Sequence, residues 1–337
     1  MKFTLKTNFK VNHFIRVLLP LSMKLNAFQK TAIGTVFATI FLIFIGGLVR
    51  ASGAGLGCPD WPRCFGTWVP PTNLSDLPPQ FDPNQFNVVK TWTEYINRLV
   101  GVTIGLFIIA TFIRSFSYRK TTPSVFYSSG LALALVLFQG WLGGQVVKTG
   151  LSEFMITLHM ILALILVLTL LYATFKASEH HLSLQITVAQ RKKLMSVLIV
   201  ILTLSVVQIF LGTQVREGID VIKNAENVIP RSEWVTQTGD IFSIHRTFSW
   251  LFVFATIYLF VVIRREKIEG QLKRVGNYII GLIVLQLVIG IGLNYLDMPR
   301  ILQIAHLVSF SVLMCFEFLM LLMLGLKSSQ STSALSS

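Results

Sequence analysis

The sequence predicts an all-α, polytopic membrane protein: eight transmembrane helices arranged as two pseudo-symmetric four-helix bundles. Three observations carry this. Of the 337 residues, 53% are hydrophobic and only 13% are charged, too little charge to keep a soluble domain of this size in solution. The apolar residues fall in blocks of about 20, the length that crosses the hydrocarbon core as a helix. Landmarks also recur at a nearly fixed offset. Gln139 and Gln286, Gly143 and Gly290, and His159 and His306 are each 147 positions apart, and Asn97 and His245 are 148 apart. Four spans separate the copies, so the repeat is parallel and both halves face the same way. In lipid each run must bond its own backbone, which excludes strands at this length.

The spans are placed at 31–49, 93–114, 125–147, 153–175, 194–212, 241–263, 275–293 and 301–324. The chain then divides into a tail (1–30), an N-terminal bundle with a long loop (31–175), a linker (176–193), a C-terminal bundle (194–326) and a second tail (327–337). The net charge of +14 is a topology signal rather than a nucleic-acid footprint. One side of the membrane collects 19 of the 29 Lys and Arg and only three acids, Glu179, Glu266 and Glu269. The positive-inside rule makes that side cytoplasmic, or the matrix side in a mitochondrion, with both termini on it. No nucleic-acid partner is expected; membrane lipid is. The first ~25 residues are basic and free of acids, as in a transit peptide, a cytosolic tail or a start misplaced from Met23. The short loops favour a bacterial inner membrane over a mitochondrial one.

The first span ends in Gly46-Gly47-Leu48-Val49-Arg50, and a long outer loop follows. Prolines 70, 71, 78, 79 and 83 make the loop stiff and irregular. Cys58 and Cys64 lie in it on the oxidising side, so a disulfide is expected. The bond is either a staple or a redox-active pair. The second span opens on Glu94, Asn97 and Arg98, with Glu94 and Asn97 on one helix face. Its Gly101 and Gly105 predict a close helix contact. The third span carries Gln139 and Gly143, and the fourth carries His159. The linker's His180 and His181, like His13, read as solvent-exposed. The fifth span ends in Gly212-Thr213-Gln214-Val215-Arg216, matching the end of the first. The sixth opens on Ile244-His245-Arg246, the counterpart of Ile96-Asn97-Arg98. The seventh carries Gln286 and Gly290; the eighth carries His306, a lone Cys315, and Glu317 three turns deeper.

His159, His245 and His306 are the histidines inside the spans, all in the outer part of their helices. Ionisable residues there are costly and point to function. His245 and His306 face each other across one bundle in this reading. Two histidines without a cysteine or carboxylate nearby suit the axial positions of a heme iron; interhelical hydrogen bonding is the plainer account. Arg246 and Arg216, with counterparts Arg98 and Arg50, are placed to meet heme propionates or simply to anchor the interface. The first half offers His159 but only Asn97 opposite, a poor iron ligand. A heme held there by one ligand suits a substrate. Glu94 then either takes protons during oxidation of a bound group or forms a salt bridge with Arg98 at i,i+4.

These residues resemble the heme A synthase family of membrane enzymes. The resemblance rests on the stretch from Gly46 through Arg50 to Cys58-Pro59-Asp60-Trp61-Pro62-Arg63-Cys64, on Glu94 and Arg98, on His159, on His245-Arg246 and on His306. It covers the chain after about residue 24. It implies two pseudo-symmetric bundles, heme b as cofactor on His245 and His306, and heme O as substrate beside His159, Asn97, Arg98 and Arg50. It implies Glu94 as a catalytic residue and a cysteine pair at Cys58 and Cys64. The implied reaction oxidises a porphyrin methyl to a formyl group. Implied partners are a heme O synthase, terminal oxidase assembly, and an electron acceptor left unidentified. Asn97 departs from the pattern, since many members have histidine there. Two rivals remain at this level. A two-heme cytochrome exchanging electrons with quinone predicts two bis-histidine sites. A transporter predicts broken helices with polar groups at the midplane.

Overall fold

The computed structural model describes residues 25–182, 184–223 and 229–326. His13, the alternative start at Met23 and the tail 327–337 lie outside the described residues, as does the side chain of His181. Eight helices are long and apolar enough to cross a membrane. They are α1 (Ala27–Ser52), α2 (Val88–Ser115), α3 (Pro123–Lys148), α4 (Glu153–Lys176), α5 (Val188–Lys223), α6 (Asp240–Arg265), α7 (Gly270–Tyr295) and α8 (Arg300–Leu324). Each is continuous, so the broken helices expected of a transporter are not found among the described residues. The protein is a multi-pass, all-α membrane protein.

Local sequence sets the ends. Asn26 and Gln29 form a reciprocal capping box that starts α1, and Gly53 stops it in the left-handed region at φ 71°. Asn87 caps α2 by accepting from the Lys90 N–H at 3.1 Å. Thr187 and Gln190 form a second box before α5. The largest departure from the sequence reading is α5, which runs eleven residues past position 212, about 16 Å of extra helix. Charged residues end a hydropathy block but not a helix. Here Arg216 and Asp220 at i,i+4 pair along the extension, 2.8 Å apart.

Helices α1 to α4 close into one ring, each packing on the next and α4 on α1; α5 to α8 close likewise. Helix α8 also packs on α1 and α4, and its apolar stretch is the most buried of the eight. A shared core runs through both rings, from Ile33 and Ile108 through Leu170 to Leu198, Leu259 and Leu313. Outward faces stay apolar, as lipid requires: Phe41, Val102, Leu137, Phe254 and Val288 are all exposed. The helix contact expected at Gly101 and Gly105 is not formed, since a Cβ at either position would meet nothing within 4 Å. These glycines lie one and two turns past Asn97 and leave its helix face smooth.

The long loop after α1 is more ordered than its prolines suggest. Short 3₁₀ turns occupy Leu74–Asp76 and Pro83–Gln85. The Cys58–Cys64 disulfide is formed, and both cysteines are buried with Phe65 among Phe81, Phe86 and Tyr95. Asp60 braces the turn by accepting from the N–H groups of Phe65 and Gly66 at 2.6 and 2.9 Å.

Candidate functional site

Each intramembrane histidine rests against a glycine of the preceding helix. A Cβ at Gly143 would lie 3.7 Å from Cε1 of His159; the corresponding distances are 3.4 Å for Gly212 and His245 and 3.9 Å for Gly290 and His306. Four residues before each glycine stands a glutamine whose amide donates to that histidine's own carbonyl. Gln139 reaches His159 at 2.9 Å, Gln208 reaches His245 at 3.2 Å and Gln286 reaches His306 at 2.9 Å. The glutamine fixes the helix turn that carries the histidine, and the glycine leaves room for the ring. Gln208 also lies 3.2 Å from Nδ1 of His245. The Nδ1 atoms of His159 and His306 are buried with no hydrogen-bond partner among the described residues.

The fourth corner lacks the whole constellation. By sequence Gly46 on α1 corresponds to Gly212 and Asn97 to His245, but Leu42 stands where Gln208 would be, and a Cβ at Gly46 would meet nothing within 4 Å. Asn97 is half-buried and makes no side-chain hydrogen bond among the described residues.

Glu94 and Arg98 are turned to the cysteine loop. One Glu94 oxygen accepts from the Cys58 N–H at 2.8 Å; the other pairs with Arg98. Arg98 also donates to the carbonyls of Asp60 and Arg63, both at 2.8 Å, and of Cys58 at 3.3 Å. Thr91 donates to the Gly57 carbonyl at 2.8 Å. The loop is thereby drawn onto the first turns of α2, and Trp61 lies flat against Gly144, next to the glycine that faces His159. The disulfide loop thus packs on α2 and, through Trp61, on α3 at Gly144.

The arginines divide. Arg50 and Arg216 are largely buried and share the carboxylate of Asp220, with N···O distances of 2.9 and 2.8 Å. Arg216 also donates to Gln303, one turn before His306. Arg246 is exposed and lies over the Phe242 ring, 5.5 Å from its centroid. Glu317 is fully buried, accepting from Ser205 Oγ at 2.9 Å. His180 is exposed and Cys315 buried, as their sequence contexts predict.

Sequence reasoning missed Gln208, Asp220 and Trp61. For Gln208 a signal was available, since Gln208 and Gly212 repeat the spacing of Gln139 with Gly143. Asp220 sits at i+4 from Arg216. Nothing in the sequence tells which of the loop's aromatic residues lies against α3.

Fold and site together define an eight-span helical membrane protein that holds three histidines against glycines, two in one ring and one in the other beneath a disulfide-closed loop. Comparison with known proteins places it further. The chain belongs to the COX15-CtaA family of cytochrome oxidase assembly proteins, whose family profile matches residues 29–317. It is similar to the heme A synthase of Shewanella oneidensis, 25% identical over 298 residues, covering 81% of this chain and 89% of the relative. It is also similar to the heme A synthase of the Wolbachia symbiont of Brugia malayi, 25% identical over 304 residues, covering 79% and 88%. A heme A synthase of Alkalihalophilus pseudofirmus is 31% identical over 153 residues, covering 44% and 46%.

Proposed function

We propose that this protein is a heme A synthase, oxidising a methyl group of heme O to the formyl group of heme A, with heme b as resident cofactor. The observation that carries the reading is the asymmetry of the four corners. Three present glutamine, glycine and histidine together, and the fourth presents leucine, glycine and asparagine. The second ring then supplies two ligands to one heme and the first ring one ligand to another.

The residues fit a heme. Among the described residues no cluster of three or more His, Cys, Asp or Glu could hold a bare metal ion, whereas a porphyrin iron asks the protein only for axial ligands. The buried Nδ1 atoms of His159 and His306 have no competing bond among the described residues, both ring nitrogens of His245 lie within 3.4 Å of the Gln208 amide, and each histidine ring faces a glycine rather than a bulkier side chain.

His245 and His306 hold heme b in this reading, and the heme supplies redox chemistry when bound. His159 holds the substrate. Arg50 and Arg216 are the inner cations proposed to meet propionates, each while sharing the Asp220 carboxylate. Arg246 and Arg98 were expected beside them, but the first lies outward and the second is engaged with loop carbonyls, so Arg98 acts through the loop. Trp61 packs on α3 at Gly144, next to the glycine that faces His159. Glu94 clamps the loop and is the proposed proton acceptor as the methyl group is oxidised. The protein lies in the bacterial inner membrane with both termini cytoplasmic, and works beside the enzyme that makes heme O and the assembly of the terminal oxidase.

Expression in cells that make heme O but not heme A tests this. Extracted membranes are expected to contain heme A. Heme b alone, with heme O unchanged, would favour the quinone-linked cytochrome.

A further inference from the structure

The extension of α5 beyond the membrane blocks makes the side-chain ties between the histidine helices of the two rings. Asp220 stands at its centre. Its Oδ2 accepts from Arg50 Nη2 at 2.9 Å and Nε at 3.3 Å, and from Arg216 Nε at 3.3 Å; its Oδ1 pairs with Arg216 Nη2 at 2.8 Å. Arg50 belongs to the first ring and Arg216 to the second. Arg50 Nη1 also touches Met160 Sδ at 3.2 Å, and Met160 follows His159 directly. Arg216 Nη1 donates to Gln303 Oε1, and Gln303 is anchored to the Met298 carbonyl at 2.7 Å, one turn before His306. A second strut runs parallel: Thr157, two residues before His159, donates to Glu217 of the extension at 2.6 Å.

One carboxylate therefore links the helix turn of His159 to the helix turn of His306. The two guanidiniums are about four-fifths buried, at 20% and 18% side-chain exposure. Without Asp220 they would be like charges at close range in a poorly solvated site, and each would swing away from the other. Arg50 would release Met160, and Arg216 would release Gln303.

We propose that Asp220 is a positioning residue that couples the two histidine pockets, so that filling one is felt in the other through the Arg50–Asp220–Arg216 bridge. The heme part of this claim rests on the proposed function; the mechanical link does not. Coupling of this kind is reciprocal, so each pocket's occupancy must alter the other's affinity by the same factor.

The test uses full-length protein in detergent, as wild type, Asp220→Asn and Asp220→Glu. Iron protoporphyrin IX is titrated into protein carrying its resident heme, and the low-spin spectrum of the resident heme is followed. Wild type is expected to shift that spectrum as the first pocket fills. Asp220→Asn is expected to keep the resident heme, bind the added heme about tenfold more weakly and lose the shift; Asp220→Glu restores both. Equal affinity and an equal shift in Asp220→Asn would overturn the coupling. Amide hydrogen exchange in heme-free protein reads the link without any ligand. Asp220→Asn should raise exchange in the outer turns of α4 and α8 together. A rise confined to α5 contradicts the proposal even if the pockets bind something other than heme.

Discussion

Glu94 is bound at both oxygens, by the Cys58 N–H and by Arg98, so its charge and its geometry serve two ends at once. Glu94→Gln removes the charge and with it the Arg98 pairing, while the amide oxygen still accepts from Cys58. We expect heme b content to hold and heme A formation to fall about 100-fold, read in extracted hemes; unchanged conversion would leave Glu94 as a loop clamp alone. Asn97 shares a face of α2 with Gly101 and Gly105 and has no side-chain hydrogen bond among the described residues. Asn97→His should turn the bound heme of the first ring into a six-coordinate, low-spin species, and a spectrum that stays as in wild type counts against that placement. At this scale much was legible in the sequence. The three histidines and Asn97 stand out because charge is scarce in the spans. The Glu94–Arg98 pair at i,i+4 was legible and is formed; their other partners were not, since these are loop carbonyls and an N–H that any sequence would carry.

Among the elements, the cysteine loop and the α5 extension carry the function that hydropathy cannot show. Spans emerge from composition because lipid imposes one solution on a long apolar run. A polar loop has no such constraint; its path is set by a few close approaches. Gly57 is one of them. A Cβ there would fall 2.3 Å from the Lys90 carbonyl oxygen, backbone against backbone, with no side chain able to yield. Gly57→Ala should lift the loop from α2 at a cost of about 1–3 kcal/mol. Limited proteolysis is expected to cut the loop several-fold faster, with heme A formation lowered and heme b retained. Cleavage at the wild-type rate would show that the loop is held by the disulfide and its aromatic core instead. The α5 extension escaped the sequence reading for the opposite reason: Arg216, Glu217 and Asp220 look like the end of a span, yet their spacing favours a continuing helix.

For the molecule as a whole, the repeat predicts two four-helix units; within each half successive helices pack on one another, and α8 packs on α1 as well. The repeat did not predict that α8 would pack on the first ring, making it the most buried helix. The charge asymmetry predicts both termini on the cytoplasmic face. Reporter fusions at position 326 and in the loop near position 75 should report opposite sides, and the same side for both would reverse the topology. The central claim is that one ring holds a heme firmly while the other holds the heme to be changed. His159→Ala, purified from cells making heme O, tests it most directly. The account predicts a normal low-spin heme b spectrum with heme O left unconverted, whereas His306→Ala loses the heme b signal. Heme A formed at the wild-type level by His159→Ala, or loss of its heme b, would contradict it.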